Sequence, residues 1–505
     1  MQSMPACRAE YAAHPVPDLA ALPFRASMMK RRTFVTSLVA AAAVTAGRRS
    51  AAQSTAHEEH ADVIVVGAGL AGLNAALVLT SVGATVRVLE SGTRVGGRCW
   101  TAEDLPGRPE LGASQVFSMY ARVRALCETL GVALELPPAG ASAESRRAPI
   151  ALSVNGSPVM REPWESAASN RLVGAERAIS PALLYPYYAA KCMTFTGPND
   201  WLSTSNLSLD DISIDRLFRQ AGASDQALEY MNVGSAPRTL SDGSALDLQH
   251  KNFLYRWNGE QGPYHHVRGG TSALPLAMAA RLGDSVRLRH RVASIVADRR
   301  GVDIRCDNGA RFRASACVCA VPFSVLRGVH LDAPLSAAQR AAIDTMAYTD
   351  LIMGFLSPRR RFWEDDGLPP ALWTNGAMQQ VLYAPSHVDE IGNLIVYVRG
   401  AGAQAIRRMG PLAAQAFFVG ELARLRPSSR GNVEFARYLD WGRYPASQGA
   451  YMYYRPGEVR RFREHVGTPA GRVYFAGEHI GQIDPGMEGA CESGERAAVA
   501  IAAQG

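Results

Sequence analysis

Two glycine-rich segments stand close together in this chain. Gly67-Ala68-Gly69-Leu70-Ala71-Gly72 follows the apolar run Val63-Ile64-Val65-Val66, and Arg94-Val95-Gly96-Gly97-Arg98 comes just after Glu90. The apolar run reads as a parallel strand buried on both faces. Gly67 permits a tight turn, Gly69 lets the backbone approach a pyrophosphate, and Gly72 lets a helix lie close to the strand. That helix is expected from about Leu70 to Val82, with the phosphates at its positive N-terminal end and Gly83 closing it. Ala84 to Leu89 reads as the next strand. Glu90, with Ser91 behind it, stands roughly 20 residues past the glycines, where an acid binds ribose hydroxyls. The first signature alone indicates a dinucleotide. The pair indicates flavin adenine dinucleotide (FAD) and redox chemistry.

The elements that position these residues fit a chain of 505 residues, long enough for two interleaved domains. With 47% hydrophobic and 20% charged residues, the composition is that of an ordinary globular protein. The net charge of +7 is almost all arginine, since the lysines are Lys30, Lys191 and Lys251. No long basic run interleaved with aromatics follows the N-terminus, so the charge reads as solvated surface and nucleic acid is not expected as a partner. The eight cysteines show no zinc spacing and no disulfide framework. Cys317 and Cys319, two apart on a strand, share one face and read as buried thiols. No metal site is expected.

Met28-Met29-Lys30-Arg31-Arg32-Thr33-Phe34 is followed by a mild apolar stretch to Ala46 and the small residues Ser50-Ala51-Ala52. This resembles a twin-arginine export signal and implies a periplasmic or secreted protein. Translation is expected to begin at Met28 or Met29. The apolar stretch is too short for a typical membrane span.

Farther on, Arg122 to Leu130 reads as an amphipathic helix and Pro137 to Ala148 as a surface loop. Residues 160–250 lack long strand patterns and fit a mostly helical insert. Val286 to Pro322 reads as a small antiparallel sheet ending in Cys317-Val318-Cys319. Residues 345–400 add strands expected to roof the flavin. A helix follows from Leu412 to Leu425, then a strand around Val473-Tyr474-Phe475 and a final helix from about Gly489 to Ala503. The expected fold is α/β. A Rossmann-like FAD-binding domain (61–118, 266–335 and 436–505) is interleaved with a substrate domain of mixed sheet plus helices (119–265 and 336–435), after an N-terminal extension of residues 1–52.

Together with Leu111-Gly112-Ala113-Ser114, the Arg268-Gly269-Gly270 turn and the C-terminal block Gly471 to Ala498, these motifs resemble the flavin-containing amine oxidase family. The resemblance covers nearly everything after Asp62. It implies that Gly96, Gly97 and Arg98 neighbour the pyrophosphate and ribityl chain, as does Glu478 after Gly477. It implies further that the Val292 backbone holds the adenine, and that Met487 opens a helix at the flavin pyrimidine. A family-level homodimer is also implied.

The departures bear on function. Trp441 to Tyr451 keeps the family spacing between a flavin-side tryptophan and an aromatic wall. Ala450 stands where cofactor-tethering members carry cysteine, so non-covalent FAD is expected. Tyr451 matches one tyrosine of the amine cage, and Gly486 takes the place of the other. Met353 falls where the family usually has a lysine near flavin N5, which leaves the electron acceptor open between oxygen and another compound. The reaction implied is oxidation of a small-molecule amine (CH–NH) to an imine by hydride transfer to flavin, with oxygen giving hydrogen peroxide. Three alternatives stand beside it: an L-amino-acid oxidase with Arg122 or Arg124 clamping a carboxylate, a flavin dehydrogenase or desaturase not using oxygen, and a partner-binding flavoprotein without turnover.

Overall fold

In the computed structural model, residues 58–136, 150–384, 386, 391–482 and 486–504 are described. The export signal and the start at Met28 or Met29 lie outside these residues, as does the loop from Pro137 to Ala148.

The strand Val63–Val66 is buried at all four positions. It is the middle of a five-stranded sheet in the order Val473–Phe475, Ala316–Cys319, Val63–Val66, Val86–Leu89, Val286–Arg287. All pairs are parallel, with Ala316 opposite Val63 and Val63 opposite Val86. Side chains alternate between two cores. Val63, Val65, Val88 and Val318 face the helices Leu70–Ser81 and Gly486–Ala502. Ile64, Val66, Cys317 and Cys319 face a second layer. The two helices touch backbone to backbone: a Cβ on Gly494 would stand 2.2 Å from the Ala71 carbonyl oxygen, and Asn74 donates to the Cys491 carbonyl at 2.8 Å.

That second layer includes a smaller sheet in the order Glu58–His60, Arg311–Ala314, Val302–Cys306, Val292–Ala297, His330–Asp332. Its three middle strands are antiparallel, as expected. The expectation that it ends in Cys317-Val318-Cys319 is corrected. Ala316–Cys319 lies in the parallel sheet, bonded to Val63–Val66 on one side and Val473–Phe475 on the other. The reason is legible in its four buried, non-alternating residues: a strand covered on both faces reads as a continuous apolar run.

Residues 160–250 are helical, with Pro181–Lys191, Ile214–Gln220, Asp225–Asn232 and the start of Ala245–Glu260 around their own core. A six-stranded sheet takes the order Val433–Asp440, Leu351–Pro358, Asn393–Arg399, Gln380–Ala384, Leu372–Thr374, Ala151–Ser153. One face, with Ile352, Val396 and Val398, packs under the helices Gly400–Met409 and Pro411–Leu425. The opposite face presents Met353, Ile395 and Tyr397 toward Trp441 and Leu111. Behind the helices, Arg426 is 1% exposed. It donates to both oxygens of Asp366, at 2.8 and 2.7 Å, and to the carbonyls of Pro369 and Leu368.

Among the described residues, no helix is long and apolar enough to cross a membrane, and no cluster could hold a metal ion. The seven described cysteines are unpaired. Burial pushes Cys99 and Cys319 up to about 12, so both are inert thiols.

Candidate active site

The first glycine signature folds as its residue types require. Gly67 has φ +102°, and Gly72 lies so close to the turn that a Cβ would stand 2.0 Å from the Gly67 carbonyl oxygen. Gly69 is different. It caps Leu70–Ser81 in extended conformation, and no atom lies within 4 Å of where its Cβ would be. The first turn of this helix has no acidic residue and no side-chain cap. Its first N–H groups thus have no side-chain cap, the arrangement that accepts a phosphate. The second signature is beside it: Gly96 donates to the Ala68 carbonyl at 2.8 Å, and Gly97 has φ +57°.

Glu90 is buried at the end of its strand. Its carboxylate accepts from the N–H groups of Ala68 (2.9 Å) and Gly92 (2.7 Å) and from the Ser91 hydroxyl (3.1 Å). The segment before Val292 is drawn to the same point: Glu90 donates to the Arg287 carbonyl, and His290 donates to the Glu90 carbonyl. Val292 itself is buried at the first position of Val292–Ala297. The structure therefore brings Gly67, Gly69, Leu70, Ala71, Gly72, Glu90, Ser91, Gly96 and Gly97 together, with Val292 near by. An extended dinucleotide fits this cradle: an open helix N-terminus, a strand-end carboxylate and two glycines without side chains between them.

Arg98 carries the cradle toward the C-terminal block. Its Nη1 donates at 2.8 Å to both the Glu478 carboxylate and the Ala450 carbonyl. Burial opposes the Arg98 charge, but the Glu478 carboxylate outweighs it and holds the guanidinium above its ordinary pKa. Glu478 also accepts from the Met452 N–H at 3.3 Å. Gly477 before it has φ +144°, and its N–H donates to Ser493. His479 after it is buried with neither ring nitrogen partnered, and burial pushes it down to about 4, so the imidazole is neutral.

Beyond Glu478 opens a cavity of about 400 Å³. Tyr120, Tyr185, Tyr255, Trp373, Tyr451 and Gly486 are among its walls. Trp441 is not. It is buried behind, where Nε1 donates to the Leu111 carbonyl at 2.9 Å, and it packs against Trp100 and Tyr444. Met353 is likewise buried in the same cluster, opposite Tyr397 on the neighbouring strand. Met487 is buried at the start of the last helix, with Gly486 just before it.

Gly486 leaves a gap in the wall, and Tyr120 stands at it. The Tyr120 hydroxyl is 3.5 Å from where a Gly486 Cβ would be. Tyr120 stands at the N-cap of the helix Ala121–Thr129, where no side chain caps the first turn from that position. Glu488 supplies the missing cap from the last helix, accepting from the Arg122 and Val123 N–H groups at 3.1 Å each. The role considered for Arg122 as a carboxylate clamp is corrected by the same contacts. Its guanidinium is committed to Glu488 and Glu495. Arg124 contacts His265 at 3.3 Å. Arg122→Ala is expected to cost about 1 kcal/mol of stability, as a partly exposed ion pair does, and to leave the preference between amines and amino acids unchanged. A change in that preference, read from kcat/KM on both substrate classes, would restore the clamp.

The rings of Tyr120, Tyr185, Tyr255 and Trp373 were not singled out as site residues in the sequence, and neither were two basic residues of the cavity. Lys251 reaches the wall from Ala245–Glu260, paired to Asp247 at 2.8 Å and donating to the Met452 carbonyl at 3.0 Å. Arg399, at the end of its strand, lies with Nη1 3.3 Å from the Tyr451 hydroxyl. A signal existed for Arg399: it continues the inward parity of Ile395 and Tyr397.

Residues 70–502 match the family model described as flavin containing amine oxidoreductase. The chain is 23% identical over 456 residues to an L-amino-acid oxidase of Demansia vestigiata, covering 86% of each chain. It is also 23% identical over 474 residues to an L-amino-acid oxidase of Naja atra, covering 89% of each. Among solved structures it resembles putrescine oxidase bound to putrescine, with TM-score 0.72, 23% identity, and coverage of 88% of this chain and 100% of that one. It resembles cyclohexylamine oxidase from Brevibacterium oxydans IH-35A with TM-score 0.70, 22% identity, and coverage of 88% and 99%. Arg98 and Glu478 link the glycine cradle to the aromatic cavity, and the match from residue 70 to residue 502 makes this chain an enzyme of the flavin-containing amine oxidoreductase family.

Proposed function

We propose that this enzyme binds FAD non-covalently and oxidises the CH–NH bond of a small-molecule amine to an imine, with oxygen as acceptor. One observation carries the reading. Glu478 belongs to both halves of the site: it holds Arg98 of the cofactor cradle and lines the aromatic cavity. A molecule in that cavity lies against the residues that the glycine motifs place. Bound flavin would supply the two-electron acceptor for this chemistry.

The chain's own residues do the rest. Tyr120, Tyr255, Tyr451 and Trp373 exclude water and orient the substrate. An ammonium ion loses hydration among these rings, so burial lowers the amine pKa and favours the neutral form with its free lone pair. The carbon next to nitrogen gives up two electrons and a proton, nitrogen loses its proton, and water hydrolyses the imine to a carbonyl compound and the free amine. Reoxidation by oxygen takes up two electrons and two protons and gives hydrogen peroxide.

Met353 favours a second reading. A buried thioether offers neither charge nor a strong hydrogen bond at that strand position. A dehydrogenase or desaturase that passes electrons to another acceptor is consistent with it. We also propose the two-domain division given above, export by residues 1–52 to the periplasm or medium, and a homodimer.

The test uses holoenzyme mixed with a panel of amines and amino acids without oxygen. Bleaching of the flavin band by one compound class, followed by recovery and hydrogen peroxide on admitting air, is expected. Bleaching that only a dye acceptor reverses would favour the second reading, and no bleaching by any compound would sink substrate oxidation. Ala450 offers no thiol for a tether at its position. Acid precipitation is therefore expected to leave the flavin in the supernatant, and a yellow pellet would refute non-covalent binding.

A further inference from the structure

We propose that Arg399 binds a carboxylate carried by the substrate, and that Gln379 holds Arg399 in position for it. This rests on the reading that the aromatic cavity is the substrate site.

Four other inward-facing basic groups already have their acids. Arg98 pairs with Glu478, Arg407 with Asp350 and Asp440, Arg426 with Asp366, and Lys251 with Asp247. Arg399 lines the cavity without one. Its Nη1 meets the Tyr451 hydroxyl, its Nε is buried with no partner, and no carboxylate among the described residues pairs with it. A guanidinium stays charged in a protein, and a buried charge without a counter-charge is costly. Burial opposes the charge and the neighbouring hydroxyls of Tyr451 and Tyr397 favour it, so the group stays charged, but a hydroxyl is no counter-ion. A ligand that brings its own negative charge completes the pair, and the planar fork matches a carboxylate with two parallel hydrogen bonds.

The position is built rather than incidental. The Gln379 side-chain amide pairs with both main-chain groups of Arg399: Oε1 accepts from its N–H at 2.7 Å, and Nε2 donates to its carbonyl at 3.1 Å. Gln379 itself holds φ +52° while buried, a conformation a non-glycine residue keeps only when its surroundings impose it. The next residue, Gly400, has φ +56°, and a Cβ there would stand 2.8 Å from the carbonyl oxygens of Pro237 and Arg238. The strand end is thereby locked between Gln379 and the segment 234–238. Arg399 also lies 5.4 Å over the Tyr397 ring. The anion would sit beside Tyr451, the aromatic wall expected at the amine. A substrate whose carboxylate lies within a few bonds of its amine, with an apolar side chain among the remaining rings, fits that spacing.

The test needs two measurements on holoenzyme. First, sodium benzoate and benzamide are titrated while the flavin spectrum and the thermal midpoint are followed. Benzoate is expected to perturb and stabilise wild type where benzamide does not, and Arg399→Met is expected to abolish the difference. Arg399→Lys, which keeps a charge but loses the fork, should fall between them and serves if the methionine variant does not fold. Second, kcat/KM is compared for L-phenylalanine and 2-phenylethylamine. Their ratio should fall about 100-fold in Arg399→Met, the order expected when one partner of a buried charged pair is removed. Gln379→Ala should lower the same ratio mainly through KM for the amino acid. Equal binding of benzoate and benzamide to wild type, or equal losses on both substrates, would overturn the proposal. If neither substrate is oxidised, the substrate reading has failed, and the benzoate titration still decides the role of Arg399.

Discussion

Gly72→Ala is expected to purify without bound flavin and with a lowered unfolding midpoint. The added methyl would stand 2.0 Å from the Gly67 carbonyl oxygen, with Val65 Cγ1 at 3.1 Å and Ala320 Cβ at 3.2 Å. The nearest atom is backbone, so no side-chain rotation relieves the clash. The helix Leu70–Ser81 has to lift off the sheet, which carries its N-terminal N–H groups away from the cofactor. Overpacking of this kind costs about 1–3 kcal/mol or more. Gly69→Ala separates binding from folding. Its φ of −76° suits alanine, and nothing in the protein obstructs the methyl. That variant should keep the wild-type stability and still lose flavin, because the methyl occupies the place a pyrophosphate approaches. The measurement is visible flavin absorbance relative to protein absorbance, together with a denaturation curve for each variant. A Gly72→Ala protein that holds stoichiometric flavin would show that the cradle is looser than this geometry allows.

Asp366→Ala is expected to lower stability by about 3–5 kcal/mol, the cost of stranding a buried charge. Arg426 would remain at 1% exposure with the carbonyls of Pro369, Pro370 and Leu368 and the Phe362 ring but no counter-charge. Removing both partners, as Asp366→Leu with Arg426→Met, should recover most of the loss, since a well-packed apolar pair avoids the desolvation penalty. Burial raises the Asp366 pKa, but hydrogen bonds from Arg426 and Ser428 outweigh it and hold the carboxyl below its ordinary value. The pair's contribution is therefore full above the unfolded carboxyl pKa of about 3.9 and lost as pH falls through the lower folded value. Urea midpoints across acid pH should show wild type converging on Asp366→Ala. Parallel curves for the two proteins would refute the linkage.

What could be read from the sequence was what is local. The strand, turn and helix around Gly67–Gly72 need only contiguous residues, and Val63–Val66 and Leu70–Ser81 fall where spacing put them. The final helix begins at Gly486 rather than Gly489, because its first turn is fixed by partners far away: Glu488 bonds to residues 122 and 123. Ala316–Cys319 was placed in the wrong sheet because sheet membership depends on two strands about 250 and 157 residues distant in the chain. Arg399 escaped notice for a similar reason. An arginine at a strand end looks like surface despite its inward parity, and the packing of Gln379 and residues 234–238 holds it there.

The parallel pairing of Ala316–Cys319 with both Val63–Val66 and Val473–Phe475 also has a bearing on biogenesis. The ribosome delivers the glycine turn early, but its neighbour strand Ala316–Cys319 emerges about 250 residues later, and Glu478 and the helix that packs on Leu70–Ser81 about four hundred residues later. Contacts this remote form slowly. The nascent chain thus carries a half-made nucleotide cradle through nearly all of its synthesis, and cofactor capture becomes a late event that can serve as the final check on a correctly assembled molecule.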